Sequence, residues 1–299
     1  MLYDYRKSEA LLAVLEAGSF EQAARQLHLT PSAVSQRVRT LEDELGTPLL
    51  VRTRPVRATR AGQKLAQYLR RSRLLQDEFA GEWAEQAGQA LSIPVVVNND
   101  TLATWLLPAL AGFLADEQLL LDIMVDDQDH TYTWLEAGHA LAGVSSEPAP
   151  MRGCAAEALG VMRYRMMASP AFAARWLPQG LDRESARRAP LVVFDRKDGL
   201  QADFLLREFG LPRDSYPRHY VPASDAFTLA VRLGLGYGMV PEQQAESFVA
   251  RGELIDLCPG RTSDVALYWH HWRVQSPKLE KLSTEVLRQA RQVLRPLAD

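Results

Sequence analysis

The chain has 299 residues, 47% of them hydrophobic and 24% charged, with a formal net charge of −3. That balance belongs to a folded chain with apolar mass for more than one core, and it excludes disordered and collagen-like polymers. No apolar run approaches transmembrane length, and the first twenty residues scatter charges among apolar ones, so neither a membrane span nor a signal peptide is expected. Charge is unevenly spread. Residues 1–75 hold 13 Lys and Arg against 7 Asp and Glu, while the remainder holds 21 against 30. A basic head on an acidic body points to nucleic acid contact at one end only.

Gly18 to Leu45 spell two short helices joined by a tight turn. Ser19 is a good N-cap, and Gln22 three residues on completes a capping-box pattern. Ala23, Ala24 and Leu27 give this helix a small-residue face, and His28-Leu29 carries the turn. Thr30 caps the next helix, Pro31 occupies its first position, where a missing N–H costs nothing, and Gly46 is the expected stop. Val34, Val38, Leu41 and Leu45 recur at helical spacing as one buried stripe. The opposite face presents Ser32, Ser35, Gln36 and Arg39, with Arg37 alongside. Hydroxyls, an amide and guanidinium groups on an exposed face suit a major groove, although all-α domains without DNA also use such helix pairs.

From Thr47 to Thr59 a short β-compatible run is followed by Arg52, Arg54 and Arg57 around Pro55. This is the composition of a wing, a small hairpin whose arginines reach phosphates or a minor groove. Thr59 then caps a long helix from about Arg60 to Glu85. Ala61, Leu65, Tyr68, Ser72, Leu75, Phe79 and Trp83 form a seam interrupted by Ser72. Its expected partner is the same helix of a second copy, which would supply two recognition helices for a palindromic site; packing on its own domain is the alternative.

Gln86 to Ser92 is small and polar, the composition of a hinge. Strands are expected at Ile93–Val97, Leu119–Val125, Ala140–Val144, Tyr164–Ala168, Leu191–Phe194, Tyr220-Val221, Tyr237–Val240 and Val265–Trp269. Helices are expected at Leu102–Leu114, Tyr132–Ala137, Ala171–Trp176, Leu200–Phe209, Ala226–Leu233 and Lys278–Leu294. The alternation predicts an α/β body with a largely parallel sheet. Its polar strand ends carry Asn98 to Thr101, Asp126 to Asp129, Ser145-Ser146, Asp195 to Asp198 and Ser224-Asp225. Hydroxyls and helix N-termini suit a carboxylate, and surplus aspartates suit a cation, which together describe a basic amino acid. Loop aspartates are also common as ordinary turn residues. Trp105 is expected in the core.

Other chemistry finds no support. Cys154 and Cys258 lie far apart without metal-ligand spacing, as in a reduced cytosolic chain without structural zinc. His270-His271 are strand neighbours facing opposite ways. Gly234, Gly236 and Gly238 precede a strand, so they are not a dinucleotide fingerprint. No nucleophile elbow, P-loop or H-E-x-x-H is present, and no enzyme is expected.

The stretch AARQLHLTPSAVSQRVRTLEDELGTPLLVR and the later ATRAGQKL resemble the N-terminal pattern of LysR-type transcriptional regulators, and the resemblance spans essentially the whole chain. It implies a winged helix-turn-helix over 1–58, a linker and dimerisation helix with hinge over 59–91, and a two-lobed periplasmic-binding-protein-like effector domain over 92–299. Lobe I would take about 92–163 and 267–299, and lobe II about 164–266. By position, Thr30, Pro31, Ser32, Ser35 and Gln36 would meet the groove, with Arg39 on the same face. Arg37, Arg52, Arg54 and Arg57 would meet phosphate. VVNNDTLATWLLPALAGFLAD, LVVFDRKD, ASDAF, RGELIDLCPG and ALYWHHW are similar to an ArgP/LysG-like branch of basic amino acid export regulators. That likeness implies lysine or arginine as effector, no cofactor or metal, and activation of an exporter gene. The implied effector residues are Asp100, Thr101, Asp126, Asp127, Ser145, Asp195 and Ser224, with Thr101 and Ser145 on the ligand carboxylate. Double-stranded DNA, a second copy or a dimer of dimers, and RNA polymerase are the implied partners, in the cytoplasm. Regulation of another metabolite pathway and replication control at a chromosome origin are the alternatives.

Overall fold

The structure is a computed structural model that describes residues 4–83, 91–126 and 131–297. It divides into two compact units. The first comprises Met1–Val95, Leu120–Asp122 and Tyr132–Ala142, and the second comprises Val96–Leu119, Ile123–Thr131 and Gly143–Asp299.

The first unit opens with α1 (Tyr5–Ala17), α2 (Phe20–Gln26) and α3 (Pro31–Leu45), then β1 (Leu50–Val51), β2 (Arg57–Ala58) and α4 (Arg60–Trp83). Ser19 Oγ accepts from Gln22 N at 3.1 Å, and Thr30 Oγ1 accepts from Ala33 N at 3.2 Å, so both N-caps form as the residue types dictate. Gly46 ends α3 in the left-handed region with φ 63°. Val34, Val38 and Leu41 are fully buried against Leu11, Val14 and Ala23, and Leu45 packs at the edge of this core. The antiparallel β1–β2 pair makes the wing. Glu42 of α3 anchors it, accepting from Leu49 N at 2.8 Å and from Leu50 N at 3.2 Å. A Cβ on Gly62 would stand 2.0 Å from Leu49 O, so the wing's entry and α4 can touch only because that residue is glycine.

The predicted α4 seam divides. Leu65 joins the head core with Ala66 and Leu69, and Ala61 packs beside it, so this part serves the helix's own domain. Tyr68 and Leu75 are 54% and 46% exposed and remain the outward part. The Phe79 and Trp83 side chains, residues 84–85 at the expected end of the helix and residues 86–90 of the expected hinge lie outside the described residues. Leu91 and Ser92 already belong to a strand.

The following elements are β3 (Leu91–Val97), α5 (Asn99–Thr101), a π-helical turn at Leu102–Leu106, α6 (Leu107–Asp116), β4 (Leu119–Val125), α7 (Thr131–Glu136) and β5 (Ala142–Ser145). Then come β6 (Cys154–Ala168), α8 (Pro170–Trp176), α9 (Arg183–Arg188), β7 (Leu191–Val193), α10 (Leu200–Phe209), β8 (Arg218–Tyr220) and α11 (Ser224–Arg232). The chain closes with β9 (Gly238–Pro241), α12 (Glu242–Ala250), β10 (Ile255–Asp256), β11 (Thr262–Trp272) and α13 (Pro277–Val293).

The main sheet runs β10-β6-β11-β5-β3-β4, with β9 also on β6, and β7 pairs β8 in parallel apart from it. The expectation of a largely parallel sheet needs correction at its centre, because β6 pairs antiparallel with β9, β10 and β11. The sequence predicts only the last five residues of β6, Tyr164–Ala168, as strand. Its first half, Cys154–Gly160, lacks the apolar alternation that marks one. The helices α9 and α12 are not legible in the sequence for a related reason: RESARR and EQQAESFVA are too short or too polar to show a stripe. Trp105 is buried, as expected for core. His270 and His271 are buried on β11, where His270 Nε2 meets Glu147 O and His271 Nε2 meets Glu157.

Candidate DNA-reading face and effector cleft

The exposed side of α3 carries the groove candidates. Thr30, Pro31, Ser32, Gln36 and Arg39 are exposed, and Ser35 and Arg37 are half-buried beside the Val34–Val38–Leu41 stripe. This follows from helical geometry: once the stripe is buried, the residues between its members face away from the core. Thr40 folds back, donating to Gln36 O at 2.9 Å, and leaves the Gln36 amide side chain outward. On the wing, Arg52, Arg54 and Arg57 are all exposed. Arg52 has a structural duty besides, with its guanidinium 5.7 Å over the Phe20 ring and 3.9 Å from Glu42. Arg54 and Arg57 are therefore the better candidates for phosphate.

The second unit contains a cleft of about 580 Å³. Asp100, Asp126, Asp195 and Ser224 from the predicted set line it, together with Asn98, Tyr164 and Asp198. Thr101 and Ser145 are buried, at 0% and 1% exposure, and are not among its lining residues. Ser145 Oγ accepts from Glu147 N at 3.1 Å. Asp127 lies outside the described residues.

Asp100 is the centre of the cleft. Its Oδ2 accepts from Tyr164 Oη at 2.6 Å and its Oδ1 from Ser224 Oγ at 2.6 Å. Burial pushes the Asp100 carboxyl above its usual range, and the two hydroxyls partly oppose that shift. Tyr164, buried beside that carboxylate, is pushed well above an ordinary phenol and stays protonated as donor. Asp198 is a second, half-buried carboxylate, raised by desolvation, which accepts from Leu200 N and from Gln201 Nε2 at 2.8 Å each. Asp195 is partly structural, since its Oδ1 accepts from Lys197 N at 2.6 Å and Asp198 N at 2.9 Å and closes the turn. The N-caps of α10 and α11 are Gly199 and Ala223, neither with a side-chain cap bond; Asp198 already takes Leu200 N at the start of α10, while first-turn N–H groups remain available on α11.

Residue-type reasoning missed Tyr164 and did not separate Asp198 from its turn. Tyr164 alternates with Arg163 and Arg165 in a strand, a pattern in which nothing distinguishes a cleft-facing hydroxyl from an inward core tyrosine. Asp198 carries a faint signal: it sits just before α10, where a carboxylate can meet free N–H groups.

Residues 5–63 match the bacterial regulatory helix-turn-helix protein, lysR family, and residues 84–291 match the LysR substrate binding domain. The chain belongs to the LysR family of transcriptional regulators. Its relatives are named HTH-type transcriptional regulators, and the family is not one of enzymes. It is 40% identical over 294 residues, 98% of both chains, to the HTH-type transcriptional regulator ArgP of Aeromonas salmonicida. It is also similar to the crystal structure of ArgP from Mycobacterium tuberculosis, with TM-score 0.86 and 38% identity over 99% of this chain and all of that one. The full-length LTTR LysG from Corynebacterium glutamicum with bound effector Arg matches with TM-score 0.79 and 32% identity over 98% of this chain and all of that one. This LysR-family chain is thus an ArgP/LysG-like, DNA-binding regulator that responds to an effector. No helix among its described residues is long and apolar enough to cross a membrane.

Proposed function

We propose that the chain is a cytoplasmic activator of a basic amino acid exporter gene, switched by lysine or arginine bound in the Asp100 cleft. The observation that carries this reading is the cleft's charge: Asp100, Asp126, Asp195, Asp198 and Asp203 line it against Lys197 alone among its cationic residues. Two of those carboxylates are desolvated, a state that a ligand cation relieves. The uncapped first turn of α11 at Ser224 offers N–H groups to the α-carboxylate. The bound arginine of the LysG relative supports the same ligand class. The protein works as a homodimer through Tyr68 and Leu75 of α4, with a dimer of dimers as the higher assembly, and it recruits RNA polymerase at the promoter.

Calorimetric titration of the full-length protein with the twenty amino acids tests the ligand. Arginine and lysine should bind, and leucine and glutamate should not; binding of a neutral or acidic member alone would discard the aspartate-based reading. On the DNA side, Gln36→Ala should weaken binding to a duplex selected in vitro by about 1–3 kcal/mol while leaving random duplex unaffected. Arg54→Ala should instead lower affinity for all duplexes and flatten the salt dependence by about one phosphate contact. Competition assays across ionic strengths separate the two. Equal discrimination after Gln36→Ala, or an unchanged salt slope after Arg54→Ala, would reject the assigned roles.

A further inference from the structure

Helix α7 belongs to the effector-binding sequence, yet residues 132–142 fall in the same compact unit as the DNA-binding head and α4. The contact that holds it is polar and one-sided. Gln67 of α4 donates from Nε2 to Glu136 O at 3.1 Å and, more weakly, to Leu135 O at 3.5 Å. Arg70, one turn further along α4, donates from Nη1 to Ala137 O at 2.6 Å. These carbonyls end α7, where a helix has unpaired acceptors and a negative dipole end, so a guanidinium is favoured there. On the other side, Glu16 of α1 lies 3.8 Å from Arg70 Nε. Gly138 makes the approach possible: its φ is +70°, and a Cβ there would stand 2.8 Å from Gln67 Cα.

Two further features mark this contact as a joint rather than ordinary packing. Arg70 is largely buried, and its Nη2 has no hydrogen-bond partner. A buried unpaired donor lowers the net worth of the contact, which keeps it breakable. In addition, α7 begins at Thr131, five residues in sequence after the cleft-lining Asp126. A ligand held at Asp126 therefore acts close in sequence to the helix that Arg70 holds.

We infer that Gln67 and Arg70 form a clamp on the C-terminus of α7 that couples the effector cleft to the DNA-binding head. They position the linker helix and touch neither ligand nor DNA. The effector side of this inference rests on the basic amino acid reading above; the clamp itself does not.

The test uses full-length protein, a duplex selected in vitro, and Arg70→Met, which keeps the aliphatic stem but removes the donors. Arginine affinity without DNA and duplex affinity without arginine should both stay within about two-fold of the parent. The arginine-dependent change in duplex affinity, about 5- to 150-fold in a typical coupled system, should fall to near one. Gln67→Ala should reduce it partially, and Arg70→Lys should retain more of it than Arg70→Met. Coupling preserved in Arg70→Met, or arginine binding lost along with it, would overturn the clamp. If the parent binds no basic amino acid, the ligand reading fails and the clamp is judged from the other end, because coupling is reciprocal. Adding the duplex should then change amide exchange across residues 131–139 in the parent and not in Arg70→Met. The same response in both, or none in the parent, would overturn it.

Discussion

Replacing Asp100 by alanine should abolish effector binding while leaving DNA binding at the parent level. Asp100 lines the cleft and its carboxylate is held by Tyr164 and Ser224. Removing a buried, hydrogen-bonded partner of a charge costs about 2–5 kcal/mol, or roughly thirty- to several-thousand-fold in affinity. The fold should survive, because Ser224 keeps Gln244 within 3.3 Å and Tyr164 keeps the Met162 sulfur at 3.2 Å. Titration calorimetry with arginine reads the loss, and a Kd within a few-fold of the parent would remove Asp100 from the site.

The same carboxylate gives a pH dependence with a definite sign. Burial raises the Asp100 and Asp198 carboxyls in the effector-free protein, whereas a bound cation favours their ionised forms. Affinity for arginine should therefore be full above those raised values, decline as pH falls through them, and level off once both carboxyls are protonated with ligand bound. For folding, the raised value means that ionised Asp100 opposes the native state above the ordinary carboxylate range, and protonation on lowering the pH relieves this. Asp100→Asn should accordingly stabilise the effector-free protein near neutrality and remove the Asp100 part of the pH dependence. An unchanged pH profile in Asp100→Asn would contradict the assignment.

Leu41→Ala should produce the opposite separation, with DNA binding lost and effector binding kept. Leu41 is fully buried at the centre of the head core. Truncating such a leucine costs about 2–5 kcal/mol, and a domain of about sixty residues has little stability in reserve. Thermal melting should show an early transition for the head, and arginine titration should match the parent. Specific duplex binding at parental affinity would show that the head core is not organised around this residue.

The contrast between head and body explains what the sequence could reveal. In the head, local chemistry and tertiary packing agree: Thr30, Pro31 and Gly46 bound a helix whose stripe is periodic, so its outward face follows by subtraction. In the body, β4 and α10 were read to the residue because a regular apolar pattern sits between clear turn signals. Only the last third of the long β6 is legible, since its pairing partners β9, β10 and β11 are distant in sequence and dictate its extent. The cleft was legible as a set of strand ends but not as a constellation. Asp100 and Ser224 are 124 positions apart, and only the fold decides that they touch while Thr101 turns inward. The α4 seam divides because Leu65, with Ala61 beside it, packs into the head core rather than outward.

The π-helical turn at Leu102–Leu106 makes the spacing of this region as consequential as its chemistry. It holds one more residue per turn than regular winding, between Asn98–Thr101 on one side and buried Leu110 on the other. Excising a single residue there would let the coil tighten and swing Asp100 by about 100° about the axis, away from both hydroxyls. Relatives that keep the same metabolite should therefore vary in letter across Leu102–Leu106 while keeping Asp100 and holding the interval between β3 and α6 to a constant length.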